Sequence, residues 1–246
     1  MNLKKIFALL SVVSLAMVGC AEHDPILSGT RIDIFENSDV KIENKDVPQL
    51  SGQEKNISGD EKCDYRQDTA NNIWRGDKKI FSGFATGNIV KSNQSPICMD
   101  GFLYTGLSTG EVIKISTLTK DVIWVADVFR DSNMTGGASV VDIVAHVGVI
   151  GDYVYAGGLG DAFCKLSKHS GKKYWCVNIS VPVDFIMVDG FAFVVGADSN
   201  LYAINLKNGK VYWKTEIKTQ IKPIYQNGVL TVGNQRINYK NGKVVK

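Results

Sequence analysis

The side chains of this sequence best able to do covalent or metal chemistry are its cysteines and histidines, and their spacing excludes most of that chemistry. His23, His146 and His169 are scattered over a linker and two loops. Neither a Cys-x-x-Cys pair nor a Cys/His spacing that would ligate zinc is present, so no metal site is expected. Nothing poses a Ser, a His and an Asp as a nucleophilic set, and solvated histidines are the expectation. Cysteine is the more informative residue. Cys63, Cys98, Cys164 and Cys176 form an even set once Cys20 is set aside. Cys164 and Cys176 flank a "KHSG" turn at nearly equal distances and could face each other across a hairpin; two free, partly buried thiols are the alternative.

Cys20 belongs to a different chemistry. Lys4 and Lys5 precede an apolar run from Ile6 to Val18 that meets "VGC", the parts of a secretory signal over residues 1–19. A helix needs about 20 apolar residues to span a bilayer, so this run is short for a permanent span. Cys20 directly after Gly19 resembles the lipobox of bacterial lipoproteins, with Met17 where that motif prefers leucine. The resemblance implies a lipid such as palmitate on Cys20, and Ala21 behind it implies the outer membrane. Export also places the other cysteines where disulfides persist. Loss of Lys4 and Lys5 takes the formal net charge of +3 close to neutrality, which argues against nucleic acid or another polyanion as partner. Residues 20–71 are rich in Asp, Glu, Asn, Ser and Lys without sustained periodicity, the composition of a flexible tether.

The elements that must position everything else are repeats. "GFLYTGLSTGEVIKISTLTKDVIW" (Gly101 to Trp124), "DYVYAGGLGDAFCKLSKHSGKKYW" (Asp152 to Trp175) and "GFAFVVGADSNLYAINLKNGKVYW" (Gly190 to Trp213) align without gaps. Each reads as an aromatic run, a turn, an alternating run such as "LYAIN", a second turn and a closing strand. Asn208-Gly209 and Asn241-Gly242 are expected to supply the positive φ angles of tight hairpins. A further, shorter unit begins at Asn227 and stops before its tryptophan, and a degenerate earlier copy is expected to end at Trp74. A unit of roughly 40 residues cannot bury both of its faces alone, so residues 72–246 are expected to stack as about four four-stranded blades of a partial β-propeller, an all-β fold. Trp124, Trp175 and Trp213, ending equivalent strands, are expected to seal the contacts between blades.

The aromatic strand, "LYAIN" with Tyr202-Ala203, and "NGKVYW" look like the repeat named after pyrroloquinoline quinone. Together with the lipobox, this resembles the BamB family of outer-membrane assembly lipoproteins, in shortened form; "ILSGTRIDIF" (Ile26 to Phe35) also looks like an N-terminal segment of some members. The resemblance implies a non-catalytic periplasmic scaffold with no cofactor. Its partners would be a BamA-like β-barrel assembly subunit and unfolded outer-membrane proteins. Quinoprotein dehydrogenases share the repeat but add a calcium site and a disulfide between adjacent cysteines, and no two cysteines are adjacent here. A quinone- or ligand-binding propeller and a truncated, non-functional fragment are the competing readings. The interval from Trp124 to Trp175 is longer than that from Trp175 to Trp213, and the surplus falls in "FRDSNMTGGASVVDIVAHVG". The resemblance implies that this connection contacts the barrel subunit through Val140, Asp142 and Ile143. Ser139 stands where the family motif has an arginine, and Val144 where it has a second aspartate.

Overall fold

Short β-branched and aromatic runs broken by Gly, Asn and Asp favour antiparallel hairpins between sequence neighbours. The structure, a computed structural model, describes residues 40–52, 63–86, 95–129 and 141–245, all within one unit, Phe35–Lys246. Its first sheet has three strands, β1 (Tyr65–Gln67), β2 (Ile73–Arg75) and β3 (Lys78–Phe81). Four-stranded sheets follow. The second holds β4 (Ile97–Met99), β5 (Phe102–Gly106), β6 (Glu111–Ser116) and β7 (Val122–Asp127). The third holds β8 (Gly148–Ile150), β9 (Tyr153–Gly158), β10 (Ala162–Ser167) and β11 (Lys173–Val177). The fourth holds β12 (Ile186–Val188), β13 (Phe191–Val195), β14 (Asn200–Asn205) and β15 (Val211–Glu216), and the fifth holds β16 (Ile224–Gln226), β17 (Val229–Val232), β18 (Gln235–Ile237) and β19 (Val244–Val245). Within each sheet every strand pairs antiparallel with the next, so the fold is all-β with four full propeller blades.

The core lies between the sheets rather than inside any of them. Leu201, Tyr202, Ala203 and Ile204 on β14 are all buried, although their order suggests a half-buried strand. Successive side chains point to opposite faces. Leu201 and Ala203 enter a cluster with Tyr225, Leu230 and Ile237 of the fifth sheet. Tyr202 and Ile204 enter another with Tyr155, Phe163 and Val177 of the third. The second and third sheets share a cluster built on Tyr104, Trp124, Val154 and Leu166, and the first and second share Tyr65, Ile73, Leu103 and Ile113. Alternation of burial survives on the outer strand β7, where Trp124 and Ala126 are buried while Val122, Ile123 and Val125 are exposed.

Several expectations are revised by this arrangement. The sheets begin at Tyr65, ahead of residue 72, and Trp74 lies on the central strand of the first sheet rather than at the end of a repeat. Its indole donates to Asp68 Oδ2 at 2.8 Å, which the neighbouring turn Asp68–Asn72 makes possible. Part of the expected tether is also seated on the body: Glu43 N–H donates to Val211 O and Val47 N–H to Lys240 O, and Val47 and Leu50 are buried. Two apolar side chains with main-chain partners are enough to dock a segment whose composition is otherwise polar. In the turns before the closing strands, Gly209 and Gly242 have positive φ while Asn208 and Asn241 do not. Each asparagine instead accepts a main-chain N–H with its side chain, as Lys210 N–H donates to Asn208 Oδ1, and β14 shifts register between Ala203 and Ile204 as β15 pairs with it.

The four cysteines form two disulfides rather than free thiols. Cys164 and Cys176 are directly opposite on β10 and β11, with Cα atoms 4.1 Å apart. Cys63 joins Cys98 on β4, with Cα atoms 5.2 Å apart, a pairing that no hairpin spacing announces. Residues 1–19, Cys20, Ile26–Phe35 and Val140 lie outside the described residues.

Candidate partner-binding site

The three repeat tryptophans fix how each sheet meets the next. Trp124 lies against Gly171, Trp175 against Gly209 and Trp213 against Gly242, each glycine in the turn of the following sheet. At Gly209 a Cβ would stand 2.7 Å from Trp175 Cδ2, and the backbone φ is 72°. Only glycine satisfies both conditions without strain. Trp124 Nε1 donates to Lys168 O at 3.1 Å and Trp213 Nε1 to Tyr239 O at 3.0 Å. At the middle interface the donor to the equivalent carbonyl, Leu206 O, is Lys165 Nζ at 3.2 Å. Lys165 is buried, with its ammonium 3.5 Å from the Tyr153 ring centroid. Burial pushes its pKa down from the ordinary lysine value.

This stacking delivers the β7–β8 connection to the seam between the second and third sheets. Ile143 N–H donates to Leu107 O at 3.2 Å, and Leu159 N–H donates to Asp142 O at 2.8 Å. The Asp142 carbonyl approaches Gly158 so closely that a Cβ there would lie 2.3 Å from it. Asp142 and Ile143 are each 1 % exposed. These two expected contact residues are therefore brought together, but as an anchor buried between sheets rather than as a presented surface. The half-buried neighbours are Val141, Val144 and His146.

His146 is not a freely solvated histidine. Its Nδ1 is 2.8 Å from both carboxylate oxygens of Asp184, and its main-chain N–H donates to Asp184 Oδ1 at 2.7 Å. Burial works against the Asp184 carboxylate, but the hydrogen bonds and charge of His146, with Lys222 nearby, outweigh it and hold its carboxyl below the usual range. Asp184 lies in the connection leading into β12, so this pair ties the β7–β8 connection to the β11–β12 connection. Sequence reading missed it because the partners are far apart in the chain and neither sits in a motif. His169 is exposed, with Nε2 3.6 Å from Asp152. Among the described residues, no group of three or more His, Cys, Asp or Glu is placed to hold a metal ion.

The family model described as "Outer membrane protein assembly factor BamB" matches residues 35–215, which include the first, second and third sheets, the β7–β8 connection and the fourth sheet as far as Thr215. The chain belongs to the BamB family. The BamB protein of Francisella tularensis SCHU S4 is 25% identical over 146 residues, covering 58% of this chain and 32% of that protein. BamB of Moranella endobia is 21% identical over 164 residues, covering 63% of this chain and 42% of its own length. The chain thus spans 28% to 42% of the length of the curated BamB proteins it matches. The crystal structure of BamB from Moraxella catarrhalis shares the fold, with a TM-score of 0.55 and 15% identity over 80% of this chain and 66% of that one. A quinohemoprotein alcohol dehydrogenase from Pseudomonas putida HK5 shares it at a TM-score of 0.51 and 12% identity, over 74% and 40%. At such identities the likeness is one of fold.

Proposed function

We propose that this BamB-family chain is a non-catalytic scaffold in outer-membrane β-barrel protein assembly, held at the periplasmic side of the outer membrane by a lipid on Cys20. The family match over residues 35–215 carries the reading. The β7–β8 connection is the docking element for a BamA-like barrel subunit. Asp142 and Ile143 anchor its base, Val144 and His146 form the surface offered at that base, and Val140 belongs to the part reaching the partner. An anchor locked by main-chain hydrogen bonds reduces the ordering cost of binding, which is what a recognition loop on a rigid body requires.

In this account the signal spans residues 1–19 and residues 20–71 form the tether, which is docked on the body at Ile42. The test is a pull-down from membranes, using mature protein with Cys20 replaced and an affinity tag after Lys246. Recovery of the barrel-forming subunit supports the scaffold, whereas a folded bait that recovers none of it contradicts the scaffold.

A further inference from the structure

The seams between sheets repeat one arrangement, and one of them lacks a charge. Where the second sheet meets the third, Lys114 Nζ donates to Lys168 O at 3.0 Å and stands 3.9 Å from the Phe102 ring centroid. Asp100, between β4 and β5, accepts from Lys168 Nζ, and its charge also favours the Lys114 ammonium against burial. Where the third sheet meets the fourth, the equivalent residues are Lys165, Leu206 and Tyr153, with the ammonium held by Leu206 O and over the Tyr153 ring. The place of Asp100 is taken by Gly151, and a Cβ added there would meet nothing within 4 Å. Burial pushes the Lys165 pKa down, and no carboxylate among the described residues offsets it. Asp152, beside Gly151, pairs with His169, and Asp189 Oδ2 accepts the N–H groups of Ser51 and Gly52 at 2.7 and 2.6 Å.

A cavity of about 330 Å³ lies at this seam, with Ile150, Tyr153, Tyr155, Lys165, Met187 and Leu206 in its walls. That is the size of a small ligand pocket. Lys165 is 7 % exposed, and one of its three N–H donors has a hydrogen-bond acceptor among the described residues. Trp175 Nε1 is buried without a partner among the described residues, whereas Trp124 and Trp213 donate to the facing carbonyl at their seams. The seam thus holds an ammonium and an indole N–H over a single carbonyl. A buried ammonium without a counter-charge is costly, and a charge-assisted hydrogen bond from an anion relieves that cost. We propose that this cavity is a binding site for a small monocarboxylate with an apolar body, its carboxylate giving Lys165 the negative charge that Asp100 supplies at the preceding seam. The body packs against Ile150, Tyr155, Met187 and Leu206. A multiply charged anion would bring uncompensated charge against these walls, which selects a single carboxylate.

The test is isothermal titration calorimetry on the mature chain with Cys20 replaced. The probes are sodium octanoate and sodium 4-phenylbutyrate, with octan-1-ol and sodium sulfate as controls. At least one of the two carboxylates binds at a single site per chain, and both controls bind at least about tenfold more weakly than it does. The tighter of the two carboxylates shows whether the body is aliphatic or aromatic, and either result supports the site. Lys165→Met keeps the bulk of the side chain without its charge and lowers that affinity at least about tenfold. Gly151→Asp lowers it as much, by placing a carboxylate of the chain itself at the seam. The turn accepts that residue, because aspartate already stands at the equivalent positions Asp100 and Asp189 with φ of 52° and 44°, against 56° at Gly151. Gly151→Asp therefore keeps the proposal testable if Lys165→Met fails to fold. No binding of either carboxylate up to about 10 mM, octan-1-ol binding as tightly as octanoate, or unchanged affinity in either folded variant overturns the proposal. The site uses residues other than those of the β7–β8 connection, so its outcome is independent of the membrane pull-down.

Discussion

Gly209 lies so close to the indole of Trp175 that no other residue fits between them: a Cβ would meet Cδ2 at 2.7 Å and Cε3 at 2.9 Å. The same turn requires φ of 72°. Replacement by alanine adds a clash to a strained backbone. Gly209→Ala is therefore expected to cost about 2–4 kcal/mol, read as a lower urea midpoint with the slope unchanged. The equivalent turn of the second sheet carries Lys120 at φ 70°, with its ammonium 2.9 Å from the Tyr65 hydroxyl of the first sheet. Lys120→Gly removes backbone strain there and carries no comparable penalty.

Among the described residues, the Leu206 carbonyl at the middle interface has one side-chain donor, Lys165, whereas Lys168 O receives both Lys114 Nζ and Trp124 Nε1. Lys165→Ala is expected to cost about 1 kcal/mol more than Lys114→Ala, because only the first leaves a carbonyl without a donor among the described residues. Paired thermal melts of the two variants decide this.

Asp68 gives the first sheet an acid-sensitive point. Partial burial opposes its charge, but hydrogen bonds from Asn72, Trp74 and Ala70 outweigh that and hold its pKa at about 2. A carboxylate depressed in the folded state stabilises above its unfolded pKa and loses that contribution as pH falls through the folded value. Stability should therefore decline between about pH 4 and pH 2, with a flatter profile in Asp68→Asn. Trp74 fluorescence, sensitive to the lost indole partner, is the readout.

The disulfides differ in the chain they enclose. Cys63 and Cys98 are 35 residues apart and Cys164 and Cys176 are 12 apart. Loop-closure entropy alone gives about 4 kcal/mol for the first and about 3 kcal/mol for the second. Replacing Cys63 and Cys98 by serine should lower the urea midpoint more than replacing Cys164 and Cys176. The opposite order would mean that the hairpin bridge contributes beyond chain entropy.

The repeat was legible because spacing and glycine placement are local. The gapless segments ending at Trp124, Trp175 and Trp213 became the second, third and fourth sheets, with the tryptophans each meeting the following turn. Burial of "LYAIN" on both faces was not legible, since periodicity alone does not distinguish a strand with one wet face from one sandwiched between two sheets. Docking of residues 42–52 and the His146–Asp184 pair were hidden because both depend on contacts between distant parts of the chain. Asp142 and Ile143 were visible as a motif, but their burial follows from Gly158 admitting the chain at close range.

The docking role proposed for the β7–β8 connection can be tested residue by residue. His146→Ala removes the side-chain bonds to Asp184 and leaves the main-chain one; it should reduce recovery of the barrel subunit several-fold while lowering stability by about 1 kcal/mol or less. Asp142→Ala, at a buried anchor, should impair both, by about 1–3 kcal/mol in stability. Pull-down and thermal melts on the same preparations separate the two effects.

The most direct measurement is site-specific photo-crosslinking in membranes, with the photoreactive residue at Val144 beside the anchor and at Tyr174, an exposed residue of β11, as the control. The account predicts an adduct with the barrel-forming subunit from position 144 and none from position 174. Adducts from position 174 alone, or from neither position in a folded, membrane-attached protein, would contradict it.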